Sequence, residues 1–356
     1  MLGHFKGSFL FTALCMAAAA WLGWTMTGSL LGTLGIVWIF AVLGVLETSL
    51  SFDNAVVNAT VLKDMDPVWR RRFLTWGILI AVFGMRIVFP LAIVAVAASL
   101  DPWSALRLAV AEPAEYQRII EGAHIGISGF GGAFLAMVGL TFFLGEDKET
   151  HWIGFVEKPL GRLAGVASLP LAIVLVALVG ISRLLPPEEV STFLLAGVWG
   201  LVAYVAVDSV GDLIGGGDDE AAKVARAGVG GFLYLELLDA SFSFDGVIGA
   251  FALSNNLFII ALGLGIGAMF VRSMTVMLVE KGTLAEYRFL EHGAFYAIVA
   301  LAAIMLLSAR YHIPETVTGL IGAGFIGIAF LSSVWSKEEE ETPVLAGAVS
   351  PSGEAL

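Results

Sequence analysis

The sequence predicts an all-α polytopic membrane protein of about ten transmembrane helices, arranged as an inverted-topology repeat of five plus five. Three observations carry that expectation. Of 356 residues, 58% are hydrophobic and 14% charged, with a mean hydropathy of +0.90, whereas soluble domains carry about 25% charged residues. Apolar runs of roughly 20 residues, the length that crosses a hydrocarbon core, recur from end to end and leave no sizeable soluble domain. A short motif of acids, serines and phenylalanine occurs twice, at an offset of 192 residues. The single cysteine, Cys15, excludes an intrachain disulfide and a cysteine-rich soft-metal site.

The spans follow in chain order. The first, 9–25, lies within an N-terminal segment 1–30; Lys6 precedes it and alanines 17–20 lie inside it. It reads as a signal anchor, with a cleaved signal peptide as the alternative. The second, 31–62, would be about 48 Å long as a straight helix, against a core of about 30 Å. It must tilt, overhang or break, and a break near Ser49 to Asn54 would expose carbonyl oxygens, which is tolerated where backbone lines a cavity. Spans at 73–99, 124–145 and 164–183 follow; those at 192–214, 228–254, 257–280, 291–309 and 315–335 make the second half. Repeat boundaries fall at about 31–183 and 192–335 within a membrane domain 31–335. Gly126, Gly129, Gly131 and Gly132 supply a small-residue face for close helix approach. The stretch 336–356, with its glutamates 338–341 and prolines 343 and 351, reads as a disordered acidic tail.

Cationic residues orient the chain. Lys6, Lys63, Arg70, Arg71, Arg72, Lys148, Lys158, Arg162, Lys223, Arg226, Lys281, Arg288 and Lys337 fall on one side of the membrane. Only Arg107, Arg118, Arg183 and Arg310 fall on the other. The positive-inside rule then places both termini in the cytoplasm of a cell (inner) membrane.

The repeated motif holds the chemistry. The second span reads Glu47-Thr48-Ser49-Leu50-Ser51-Phe52-Asp53-Asn54, and the seventh reads Asp239-Ala240-Ser241-Phe242-Ser243-Phe244-Asp245-Gly246. Five spans separate the copies, so they run in opposite directions, as in transporters with inverted repeats. On a helix, Glu47, Ser51, Asn54 and Asn58 share one stripe, and Glu236, Asp239 and Ser243 share another. Four acids near span centres would cost on the order of 10 kcal/mol unless paired, protonated or metal-bound. Carboxylate, hydroxyl and amide oxygens suit a hard divalent cation. The candidate metal ligands are therefore Glu47, Ser51, Asp53, Asn54, Asp239, Ser243 and Asp245. Arg86, Arg272, His124 and His292 are the candidate counter-ions or coupling groups. The bland alternative is that the acids pair with Arg86 and Arg272 to hold helices together. Gly246 is a candidate break in the second copy, and Asp208 and Asp212, one helical turn apart, are candidates for an entry path.

Glu47-x-Ser-Leu-Ser-Phe-Asp53-Asn54 and Asp239-x-Ser-Phe-Ser-Phe-Asp245 resemble the paired signatures of TerC-type (tellurite resistance C) integral membrane proteins, over about residues 31 to 335. The Phe-Gly-Gly-Ala-Phe-Leu segment at 130–135 is similar to a sister group of uncharacterised bacterial membrane proteins within the LysE-like exporter superfamily. The resemblance implies an inverted-repeat exporter of Mn²⁺ or Ca²⁺, with tellurium resistance as a historical label, and it puts the signature acids at Glu47, Asp53, Asp239 and Asp245. Gly246 departs from the pattern, since the first copy has Asn54 there. No permanent cofactor, no enzymatic activity and no nucleic-acid partner are expected; the partners are the bilayer, the metal ion and, as an open alternative, further copies of the chain. The rival functional reading is a membrane-protein assembly or stress-resistance partner without transport.

Overall fold

The structure is a computed structural model that describes residues 2–145, 150–163, 166, 168–215 and 226–346. Side chains are described within those ranges except at 2, 78, 211–215, 226, 244, 245, 285, 315 and 337–346. Among the described residues every regular element is helical. The first helices are α1 (Lys6–Thr27), α2 (Leu30–Leu50), α3 (Phe52–Lys63) and α4 (Pro67–Leu79), after which a π-helical segment (Ile80–Val88) leads into α5 (Phe89–Ala97). Two short helices, α6 (Pro102–Ala111) and α7 (Pro113–Gly122), precede α8 (His124–Phe143), α9 (Gly154–Gly161), α10 (Leu169–Ser182) and α11 (Pro187–Gly215). A second π-helical segment (Arg226–Gly230) opens α12 (Gly231–Ala250), followed by α13 (Leu257–Glu280), α14 (Thr283–Glu286), α15 (Leu290–Ser308) and α16 (Glu315–Ala346).

Local chemistry sets many of these boundaries. Gly28 closes α1 in the left-handed region at φ +61°, where a residue without Cβ carries no penalty. Ser29 then caps α2 by accepting the Gly32 amide at 3.1 Å. Asp66 caps α4, accepting from the Val68 and Trp69 amides, with Pro67 at the first helical position, where no donor is lost. Asn256 caps α13 in the same way.

Eight helices among the described residues are long and apolar enough to cross a membrane: Gly3–Thr27, Leu30–Leu50, Ile80–Ala97, His124–Phe143, Pro187–Val210, Leu257–Glu280, Leu290–Ser308 and Thr316–Ser336. This is a multi-pass membrane architecture, with fewer clear spans than the ten expected. The difference has physical causes. The fifth expected span is only the 14-residue α10, and the seventh is α12, whose 20 residues include Glu236, Asp239 and Asp245. The chain does break in the second expected span, at Ser51 between α2 and α3 (φ −101°, ψ 21°). It does not break at Gly246, through which α12 runs on; there the missing Cβ leaves room for Glu47, whose Oε2 would lie 3.1 Å from one. Helix α16 continues past residue 336 to Ala346, the first part of the expected acidic tail. Lys and Glu are good helix formers, and extending an existing helix is cheap. Residues 347–356 lie outside the described residues.

Helices α2 and α3 pack with α13 along their length, α8 lies between α11 and α15, and α12 touches α3, α4, α8 and α13. Apolar burial gives little drive between helices in lipid, so close backbone approach has to supply the packing. A Cβ at Gly132 would lie 2.7 Å from Leu306, and one at Gly267 would overlap the side chain of Glu47 and approach the Gly44 carbonyl to 2.8 Å. The helix α1 docks on α13, with the Ser8 hydroxyl 2.7 Å from both Ser273 Oγ and the Met269 carbonyl. Gly267→Ala is therefore expected to wedge α13 from α2 and cost about 1–3 kcal/mol, as overpacked sites do. A thermal melt of the purified variant checks this; an unchanged melting temperature would mean that the two helices are not locked at Gly267.

Candidate functional site

The site is assembled where the α2–α3 break meets α12 and α13. The last full turn of α2 carries Glu47, which is 5% exposed. Ser51 sits at the break and donates to Glu47 Oε1 at 3.1 Å, the i to i+4 contact that the stripe predicts. Asp53 falls in the first turn of α3, where the helix dipole favours negative charge, and its Oδ1 accepts the Asn54 amide at 2.9 Å. It is 6% exposed and lies within electrostatic reach of Glu47.

Arg86 comes from the π-helical segment after α4. Its guanidinium pairs with Glu47 and also donates to the Ala81 carbonyl five residues back, so the guanidinium is held between a carboxylate and its own helix. One turn deeper in α3, Asn58 Nδ2 donates to Asp239 Oδ1 at 2.8 Å, and the Asn54 amide reaches the same carboxylate. Arg272 of α13 stands 4.7 Å over the Phe73 ring and donates to the Phe73 carbonyl. It lies near Asp239 and Glu236, although no ion pair joins it to a carboxylate among the described residues. The two arginines thus differ: Arg86 is engaged by its acid, and Arg272 is not.

Several buried oxygens have no hydrogen-bond partner among the described residues. Around the two motifs they include Asn54 Oδ1, Asn58 Oδ1, Ser243 Oγ and both oxygens of Glu236. Buried polar atoms are nearly always paired, so a group of them around two carboxylates is a departure that needs a cause.

Two cavities meet this constellation. One of about 600 Å³ is lined by Glu47 and Gly246 and, farther along, by Gln117, Glu121, His124, Ser308 and His312. A second of about 50 Å³ is lined by Glu47, Ser51, Asp53, Gly246 and Thr318. The smaller has room for a few waters, since one needs about 10–15 Å³. A Cβ on Gly322 of α16 would lie 2.6 Å from Asp53 Oδ2, so a glycine fronts this carboxylate as Gly246 and Gly267 front Glu47.

The expected ligands are brought together only in part. Glu47, Ser51 and Asp53 share the small cavity, and Asn54 joins Asp239 across the α3–α12 contact. Ser243 is buried, and the Asp245 side chain lies outside the described residues. Among the described residues, no three or more His, Cys, Asp or Glu side chains converge as a metal-holding group; Glu47 is taken by Arg86 and Asp239 by Asn58. His124 lines the large cavity, whereas His292 lies elsewhere, with Nε2 2.8 Å from the Thr150 carbonyl and 3.4 Å from Glu157. The two candidate coupling histidines therefore occupy different surroundings. Asp208 is exposed, and the Asp212 side chain lies outside the described residues.

Sequence reasoning missed Glu157, which is 1% exposed and accepts from the Ile153 and Trp152 amides and the Tyr296 hydroxyl. Nothing in the sequence marks it, because it sits between Lys158 and other loop-like residues outside every expected span. It ties α9 to α15 and stands apart from the carboxylates of the two motifs.

A family model described as Protein of unknown function (DUF475) matches residues 52–340. That family is distinct from TerC, for which there is no match, and this overturns the assignment to TerC-type proteins. The physical reason is plain: acids and hydroxyls at i, i+4 spacing arise in any span that carries a polar stripe, so the motif reports a constraint and not an ancestry. No curated protein and no solved structure matches. The matched segment contains Asp53, Arg86, Asp239 and Arg272, while Glu47 lies before it.

Two stability outcomes follow. Removing one partner of a buried ion pair costs about 3–5 kcal/mol because the other charge is stranded. Arg86→Met should thus lower unfolding stability by that order, and Glu47→Gln in the same chain should restore part of it; strict additivity of the two losses in chemical denaturation would show that they do not pair. Glu236→Gln should leave the melting temperature unchanged or raised, since neither carboxyl oxygen has a hydrogen bond to lose. A marked drop would reveal a partner for Glu236.

Proposed function

The chain belongs to the DUF475 family, and we propose that it moves a hard divalent cation, Mn²⁺ or Ca²⁺, across the membrane through the carboxylates of Glu47, Asp53 and Asp239. The observation that carries this reading is the group of buried, donorless oxygens, Asn54 Oδ1, Asn58 Oδ1 and Ser243 Oγ, beside carboxylates that an open cavity of about 600 Å³ reaches at Glu47. Oxygens without donors are what a dehydrating cation requires, and oxygen donors of this kind suit hard ions. Asp245 belongs to the same proposal by its place in the second motif.

Arg86 and Arg272 act in this scheme as resident counter-ions. A guanidinium on Glu47 neutralises the acid while no cation is bound, and an arriving cation has to displace it. Intramembrane ionisable residues are expensive and mark ion pathways more often than they mark structure. The cavity beside Glu47 supports that over the purely structural pairing, which needs no open space.

The inverted five-plus-five organisation is part of the proposal. Its support is the constant offset of the motifs, the helix break at Ser51 in the first copy, and the placement of both copies against each other through Asn58 and Asp239. Ten crossings then require α10 and α12 to span. At 1.5 Å per residue the 14 residues of α10 reach about 21 Å, a mismatch that local bilayer thinning accommodates. Both termini are placed in the cytoplasm by the arginine and lysine distribution.

Flux of Mn²⁺ and of Ca²⁺ into proteoliposomes tests the function. The wild type is expected to carry at least one of the ions, and Asp53→Asn and Asp239→Asn, each shown to be folded, are expected to reduce the flux to that of empty liposomes. No flux of either ion through the wild type would sink the proposal.

A further inference from the structure

The carboxylates are open on one side and closed on the other. The large cavity and the small cavity at Asp53 lie side by side, sharing Glu47, Leu50, Gly246 and Thr318 in their walls. Beyond Asp53, every α3 residue from 55 to 60 is buried. The region where α3, α4, α12 and α13 meet is filled by rings. Phe73 is fully buried and meets Phe232 edge-on at 6.0 Å, and Trp69 lies 5.8 Å from the same Phe232. Past the rings lies the basic face of the molecule, where Arg70 donates to the Lys63 and Met65 carbonyls and Arg71 and Arg72 are exposed.

We propose that Phe73 and Phe232, latched by Arg272, form a gate between the carboxylates and the basic face, and that it is shut in this conformation. The inference rests on the cation-pathway reading and adds its route: the ion exchanges with the large cavity while the rings are packed, and with the basic face only after they part. The latch follows from what Arg272 touches. Its guanidinium lies over the Phe73 ring and donates to the carbonyl of the same residue, which fixes both the backbone and the ring. Asp239 and Glu236 are the carboxylates that act on it electrostatically. A cation held at Asp239 would repel the guanidinium from this position, so occupancy of the site and release of the rings are linked by charge. A ligand shifts a conformational equilibrium only through such a difference between states. Arg86 has no corresponding contact with a ring, and its side of the site is the open one.

Thiol labelling of the full-length protein in detergent tests the gate without depending on transport. In a Cys15→Ala background, Thr318→Cys reports the cavity side and Asn58→Cys the segment beyond Asp53. A hydrophilic, bulky thiol reagent is expected to label Thr318→Cys and to leave Asn58→Cys unlabelled over the same time. Adding Phe73→Ala to the Asn58→Cys protein should bring labelling; if that variant aggregates, Phe232→Ala, at a half-buried position, is read in its place. Labelling of Asn58→Cys at the Thr318→Cys rate with the rings intact, or no labelling after the ring is removed, overturns the gate. A protein that carries no ion yet labels as expected would sink the transport reading and leave the gate standing.

Discussion

The cost of holding carboxylates away from water governs this structure more than any other term. Glu47, Asp53, Glu236 and Asp239 are all under 10% exposed, and holding a carboxylate there is costly unless it is matched locally. The match at Glu47 is Arg86, and reaching it shapes two elements. Helix α2 has to end just after Glu47, and the chain carrying Arg86 adopts a π-helical turn, the form of insertion that recurs at functional sites. At Asp239 the match is the side-chain amide of Asn58 in α3, with Asn54 one turn before it. The broken helix and the π segment are thus two solutions to one electrostatic demand.

Glycines make those solutions sterically possible. Gly267 and Gly246 border Glu47 and Gly322 borders Asp53, so three different helices bring backbone, and not side chains, up to the acids. Backbone contact keeps the neighbours close without adding apolar bulk that would fill the cavities. The same arrangement explains why the break falls in α2–α3 alone: in α12 the glycine of the motif serves proximity to Glu47, and helix continuity there keeps Asp239 aligned with Asn58.

Much of this was legible in the residues. The helical class, the multi-pass character, the break near Ser51 and the Glu47–Ser51 contact follow from composition, from an over-long apolar run and from 3.6-residue spacing. The nearness of Asn58 to Asp239 was not, since spacing fixes which residues share a face of one helix and says nothing of which face meets another helix. Eight of the ten expected spans stand clear by length and composition, because a run such as Gly231–Ala250 is apolar enough to suggest a span while its acids keep it from standing as one by composition. The surroundings of His292 were not legible either, because its partner Glu157 lies on a short helix outside any periodic pattern. Family assignment failed on a motif whose content is set by chemistry that unrelated spans can share.

The two arginines are engaged unequally. If the motifs only stapled helices together, both guanidiniums would gain most by sitting on their acids, since a buried charge left without its partner is costly. Arg86 does so. Arg272 instead donates to the Phe73 carbonyl and lays its face on the Phe73 ring, while neither oxygen of Glu236 nearby has a hydrogen-bond partner among the described residues. A purely structural role leaves that arrangement without a reason. The proposed ion site gives it one: two carboxylates and a ring that compete for one guanidinium supply the element with two arrangements that taking up and giving off an ion requires.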